Sequence, residues 1–230
     1  MAGFNDNFNV YFFIVLVALL PFAFYLDRKR KQQRNRKYAE FGLRPVSANR
    51  FRLWARPGHF SCLDKMGFIN RQHEHVMGSY KGHKIVLFTH SVADGTKTGK
   101  HQTAAIVELG KPAPVFVLRP EWVRDKLKSR LGHPDINFDT DTGFSSRYFL
   151  QGDSGDAVRT IFNDRVRNRL SGEQGLWVEC DGHKLLVFKE YDRLVDGTNL
   201  ENTLNRAVEI KQLIEGGAPD QSAAARAITP

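Results

Sequence analysis

Three histidines are the residues best placed to do chemistry. His73 and His75 are two apart, so on a strand they share a face. A two-residue turn at Lys81-Gly82 would set His73 opposite His90 and His75 opposite Phe88. Three imidazoles on one side of a hairpin, with a fourth position open, suit a catalytic zinc. The same face would carry Met77, Val86 and Phe88. A histidine cluster at the end of a sheet, without metal, is therefore the competing reading.

Two other stretches look chemical and yield to simpler accounts. Asp135, Asn137, Asp139 and Asp141 alternate as calcium ligands do. An EF-hand loop needs Gly at its sixth position and Glu at its twelfth. Here those positions hold Thr140 and Ser146, so the stretch reads as a turn-rich loop whose carboxylates bind their own backbone. Gly152-Asp153-Ser154-Gly155 is similar to the nucleophile motif of chymotrypsin-like serine proteases, but Asp156 stands where that motif has Gly. It opens a predicted helix, where Asp and Ser are preferred caps. No P-loop, dinucleotide fingerprint or zincin motif is present. A non-enzymatic binding or accessory domain is the expectation, with no cofactor; the alternative is an enzyme using the His73, His75 and His90 cluster.

The elements that must position these residues follow from pattern. His75–Tyr80, His83–Ser91, Gln102–Leu109 and Pro114–Leu118 are β-branched or aromatic runs separated by Gly-containing turns, and predict strands. Pro120 starts a predicted helix with the stripe Val123, Leu127 and Leu131. Ser146–Leu150 predicts a strand, and Val158, Ile161, Phe162, Val166 and Leu170 mark one helix. Leu176–Cys180 and His183–Glu190 predict a hairpin turned by Asp181-Gly182. Thr198 to Glu201 forms a capping box ahead of a helix that Gly216-Gly217 ends.

Two blocks repeat. Gly82-His83-Lys84-Ile85-Val86-Leu87-Phe88 matches Gly182-His183-Lys184-Leu185-Leu186-Val187-Phe188. Each is a Gly-turned hairpin whose second strand is apolar on both faces, which places that strand mid-sheet. The expected fold is α+β: an antiparallel sheet with packed helices over residues 57–216, built from related halves at 57–132 and 144–216. Residues 217–230 are small and polar and predict a disordered tail.

Ahead of that domain, Asn7 to Leu26 is 20 residues without a charge. As a helix it would be about 30 Å long, the thickness of a bilayer core. Arg28, Lys29, Arg30, Lys31, Arg34, Arg36 and Lys37 follow it, whereas residues 1–7 carry one side-chain charge, Asp6. A signal peptide has the reverse order. The expectation is a transmembrane helix over 8–26 with 1–7 outside, followed by a basic juxtamembrane linker over 27–56. The basic residues then face the cytoplasm of a bacterial inner membrane.

The net positive charge is confined to this region. The chain is +9 overall. Residues 27–56 hold eleven Lys/Arg and two acids, whereas 57–230 hold twenty-three and twenty-two. The domain lacks the basic excess of a nucleic-acid-binding module, so no nucleic-acid partner is expected. The expected partners are the lipid bilayer, with an anionic-lipid response as a further alternative, and another membrane protein. Cys62 and Cys180 lack metal or disulfide spacing and read as buried thiols.

Four short motifs run through the domain: Phe41-Gly42-Leu43-Arg44-Pro45, Leu118-Arg119-Pro120-Glu121, Asp135-Ile136-Asn137-Phe138 and Phe144-Ser145-Ser146-Arg147-Tyr148. With the Gly turns, they make the chain resemble a group of bacterial single-pass membrane proteins with a cytoplasmic α+β domain. The resemblance implies no particular activity.

Overall fold

Strands that are apolar on both faces demand cover on both sides, and the sheet supplies it at its centre. The computed structural model describes residues 4–65, 72–92, 100–121, 135–190 and 199–217. Among them eight strands form one antiparallel sheet: β1 (Leu43–Pro45), β2 (Gln72–Tyr80), β3 (His83–Val92), β4 (Lys100–Glu108), β5 (Phe116–Pro120), β6 (Tyr148–Gly152), β7 (Leu176–Cys180) and β8 (Lys184–Lys189). Their spatial order is β1-β2-β3-β4-β8-β7-β5-β6. The two Gly-turned hairpins, β2–β3 and β7–β8, lie on either side of β4. The α+β class with an antiparallel sheet and several helices is as expected.

The helices divide between the two faces. On one, α5 (Gly155–Ile161), α6 (Asp164–Ser171) and α7 (Leu200–Gly217) pack on Ile85, Leu87, Ala105, Val107, Leu185 and Val187. On the other, α2 (Ala48–Ala55), a 3-10 turn at Pro57–His59 and α3 (Ser61–Lys65) pack Phe51, Ala55, Phe60, Cys62 and Leu63 on Val86, Phe88, Ala104, Ile106 and Leu186. The stripe expected as one helix over Val158 to Leu170 is two. Asn163 interrupts it and accepts the Val166 N–H at 3.2 Å, an N-cap that starts α6. The helix expected after Pro120 falls outside the described residues. A short α4 (Thr142–Ser145) completes the set.

The N-terminal third departs most from expectation. Residues 27–56, expected as a linker, carry the end of α1 (Phe4–Glu40), then β1 and α2. Helix α1 runs 37 residues, about 55 Å, through Pro21. Its apolar and basic stretches are thus one continuous helix. Alternating Arg and apolar residues hid α2; Phe51 and Ala55, four apart, are its buried stripe. Among the described residues no helix is long and apolar enough to cross a membrane. The expected transmembrane helix over 8–26 is not supported as a span, and the side chains of residues 4–18 lie outside the described set.

A tight turn joins α1 to the sheet. Phe41 and Gly42 N–H groups bond to the Tyr38 and Ala39 carbonyls, and Gly42 takes φ 75. β1 then lies on β2 with Leu43 opposite Gly78. A Cβ on Gly78 would stand 2.0 Å from the Gly42 carbonyl oxygen, so only hydrogen fits between the two backbones. Gly78→Ala is expected to cost about 2 kcal/mol by forcing β1 off the sheet edge, read as a lower urea midpoint.

Candidate functional site

The register of the β2–β3 hairpin decides the fate of the three histidines. Near its turn the pairing is regular: Tyr80 faces His83, and Val76 faces Leu87. Lys81 and Gly82 both have positive φ, as a two-residue hairpin turn requires. Between Val76 and His73 the strand bulges, and Glu74 adopts φ 59. Beyond the bulge the register has moved by one, so Gln72 faces His90 and His73 faces Thr89. A one-residue slip exchanges the faces of a strand. The expected pairing of His73 with His90 is therefore not made. No pattern of apolar residues announces a bulge at a charged position, which is why the sequence did not show it.

The other two histidines have apolar surroundings. His75 stacks on Phe51 with ring centroids 4.2 Å apart. His90 is buried, its ring 5.1 Å edge-on from Phe188, and Gln102 Nε2 lies 2.6 Å from its Nε2. Burial lowers the His90 pKa from 6.5 to about 4. Among the described residues no group of three or more His, Cys, Asp or Glu could hold a metal ion. The side chain of His73 lies outside those described.

The Asp-rich loop is a structural latch. Asp135 Oδ1 accepts the Leu150 N–H at 3.1 Å, and Asp141 Oδ1 accepts the Phe144 N–H at 3.0 Å. Asp141 Oδ2 also pairs with Arg167 Nε at 3.1 Å. Arg167 is buried, donates to the Phe162 carbonyl at 2.6 Å, pairs with Asp164, and stacks 4.2 Å from the Phe138 ring. Nothing in the sequence distinguished Arg167 from its solvated neighbours Arg165 and Arg169. At Gly152 to Gly155 the expected cap is only partly made. Ser154 precedes α5 and its carbonyl accepts the Val158 N–H at 3.0 Å, but its side chain makes no capping bond.

Two constellations went unnoticed in the sequence. Glu179 on β7 is buried and accepts backbone N–H groups from Ser61 and, at 3.1 Å, from Cys62. Burial raises its pKa, and these bonds offset part of the rise. Burial first, then the Glu179 charge, push the Cys62 thiol well up. Both cysteines are free and buried, and burial pushes Cys180 up to about 12, so neither is an activated nucleophile. The second constellation joins the repeat blocks. Lys84 and Lys184 place their ammonium groups 5.0 and 5.2 Å from the Trp54 ring centroid, with Glu108 3.5 Å from Lys84. These lysines hold α2 down over the sheet.

Among the described residues the exposed large apolar side chains are Leu53 on α2 and a cluster on α1. Leu19, Leu20, Phe22, Phe24 and Tyr25 are 55 to 70% exposed. The basic residues follow at once: Arg28, Lys29, Arg30, Lys31, Arg36 and Lys37 are exposed, and consecutive positions at 100° steps form a collar around the helix. Arg34 turns to the domain, pairing with Glu74 at 2.7 Å. Tyr38 behind it is buried, which raises its pKa, with the Glu74 charge adding to the rise. The candidate site is thus an apolar helical segment, a cationic collar and a docked end.

His90 and Glu179 each give a test. A lowered histidine pKa means the folded state binds fewer protons, so stability is full above pH 6.5 and falls as pH drops toward 4. The loss is expected to reach about 3 kcal/mol. His90→Gln should flatten the fall in urea midpoint between pH 7 and pH 4. Glu179→Ala should free the Ser61–Cys62 backbone and speed thiol modification of Cys62 at least about tenfold, as local opening permits, while Cys180 stays slow.

No family model matches the chain, and no curated protein matches its sequence. Among solved structures, the chain is similar to the crystal structure of the mycobacterial trehalose monomycolate transport factor A, TtfA. The likeness has a TM-score of 0.56 at 14% sequence identity, and covers 84% of this chain and 95% of that one. It is a likeness of fold.

Proposed function

We propose that this chain is a membrane-tethered accessory or binding protein, held to a bacterial inner membrane through α1 with its α+β domain on the cytoplasmic side. The observation that carries this reading is the exposed apolar segment Leu19 to Tyr25, continuous with the uncharged run from Asn7 and followed directly by a cationic collar. In water that much uncovered apolar helix is unfavourable, by roughly 25 cal/mol per Å². Lipid acyl chains cover it, and anionic headgroups neutralise Arg28 to Lys31. The positive charge lies C-terminal to the apolar run, which supports a cytoplasmic domain and an external N-terminus.

The accessory part of the reading is supported by the fold likeness to a trehalose monomycolate transport factor. The stacking of half-buried His75 on Phe51 and the burial of His90 beside Phe188 favour a binding or assembly role over catalysis. The domain would contribute to moving a lipid by contact with another membrane protein. In a host lacking this chain, delivery of newly made envelope lipid is expected to slow, and an unchanged rate would remove this part of the reading.

Tethering is tested separately. Each Arg placed mid-span costs about 3 kcal/mol. Leu19→Arg with Leu20→Arg is expected to move the protein from the carbonate-resistant membrane fraction to the supernatant. Retention of the double variant, or release of the unaltered protein by carbonate, would refute the tether.

A further inference from the structure

Helix α2 turns one side to the sheet and the other to solvent. Its buried residues are Phe51 and Ala55. With about 100° per residue, Leu53 lies about 180° from their midpoint, at the centre of the outer face. It is 79% exposed, and among the described residues it is the one large exposed apolar side chain outside α1. Asn49, Arg50, Arg52 and Arg56 around it are exposed. From Phe41 to Leu63 the chain has four arginines and no acid. Lys84 and Lys184, over the Trp54 ring, add positive charge beside the last turn of the helix. Glu108, the acid opposite Lys184 on β4, is engaged by Lys84 at 3.5 Å. The helix is fixed at both ends: Ser47 Oγ accepts the Arg50 N–H at 3.3 Å, and the Arg56 N–H bonds to the Arg52 carbonyl at 3.1 Å. A lone exposed leucine needs no explanation. A leucine centred on a rigid face and ringed by arginines has the form of an interface anchor with a charged rim.

We propose that this face of α2 docks an acidic segment of another protein, in which Asp and Glu surround an apolar pocket for Leu53. The inference rests on the accessory reading above and names the kind of partner it needs. Charge selects the occupant, because a cationic rim disfavours any neutral or basic surface. A lipid surface fits the charge but not the position. Arg34 pairs with Glu74 near the start of β2, and Phe41 meets Tyr80 at its end, so α1 runs with β2 and its apolar segment lies beyond the Glu74 end. Leu53 adjoins Trp54, which sits under Lys84, next to the Lys81-Gly82 turn at the other end of the hairpin. A second copy would have to offer the exposed acids Asp139, Asp156 and Asp164, which lie on the opposite face of the sheet. Such a contact is head-to-tail and does not close on a pair.

The test uses the full chain in its own host, with Asn49 replaced by the photo-crosslinker p-benzoylphenylalanine, one helical turn from Leu53. Illumination is expected to give a discrete adduct with another protein, at a peptide holding more Asp and Glu than Lys and Arg. Leu53→Asp is expected to cut the adduct yield about tenfold or more, and so is Arg50→Glu with Arg52→Glu. The urea midpoint should stay unchanged in both, because these side chains are exposed. An adduct with lipid or with a second copy, an adduct on a basic peptide, an adduct that survives Leu53→Asp, or no adduct would each overturn the surface. Lipid delivery that slows without this chain, while no such adduct forms, leaves the accessory reading standing without the surface. An acidic adduct with unchanged delivery keeps the surface and removes that reading.

Discussion

The fold depends on how the end of α1 is fastened to the edge of the sheet. Three features act together there. Gly42 and Gly78 bring two backbones closer than any side chain allows. The bulge at Glu74 turns its carboxylate to Arg34. Tyr38 is buried behind that pair among Leu43, Val76 and Tyr80. The exposed part of such an ion pair is worth little by itself, about 1 kcal/mol at most. The glycine contact and the buried tyrosine supply the specificity. The result is a long helix that enters the domain's core instead of joining it by a flexible tether.

That fastening sets the course of the next segment. β1 is only three residues long, yet it places Val46 and the start of α2 on the opposite face of the sheet from α5, α6 and α7. The smaller layer has few apolar residues and is held by polar means as well. Glu179 takes up two backbone N–H groups at the start of α3, and the paired lysines of the repeat blocks close on Trp54. On the larger face, Arg167 performs the matching task by tying α6 to the loop around Asp141. A buried charge is tolerable in each case because backbone groups or an opposite charge satisfy it.

Much of the sheet was legible because its residues obey local rules. Lys81-Gly82 and Asp181-Gly182 are hairpin turns by residue type, and the runs after them are apolar on both faces. The order of the strands was not legible, since it depends on β4 lying between the two hairpins. The expected pairing of His73 with His90 is not made, for a related reason. That pairing needed an unbroken register from Tyr80 to His73, and a single bulge shifted the register by one beyond Val76. The strain of Glu74 at positive φ is repaid by a partner on α1 that lies far away in sequence.

The sequence by itself determined the elements that local chemistry dictates: the turns, the doubly apolar strands, the α+β class and the confinement of the net positive charge to residues 27–56. These follow from side-chain period, glycine conformational freedom and charge counts, which need no partner. Only the tertiary structure decided that the basic stretch is helical and docked, that α2 belongs to the core, and that His73 and His90 do not pair. Each of those depends on contacts between residues distant in the chain. Periodicity records which face a residue shows, but not which surface it meets.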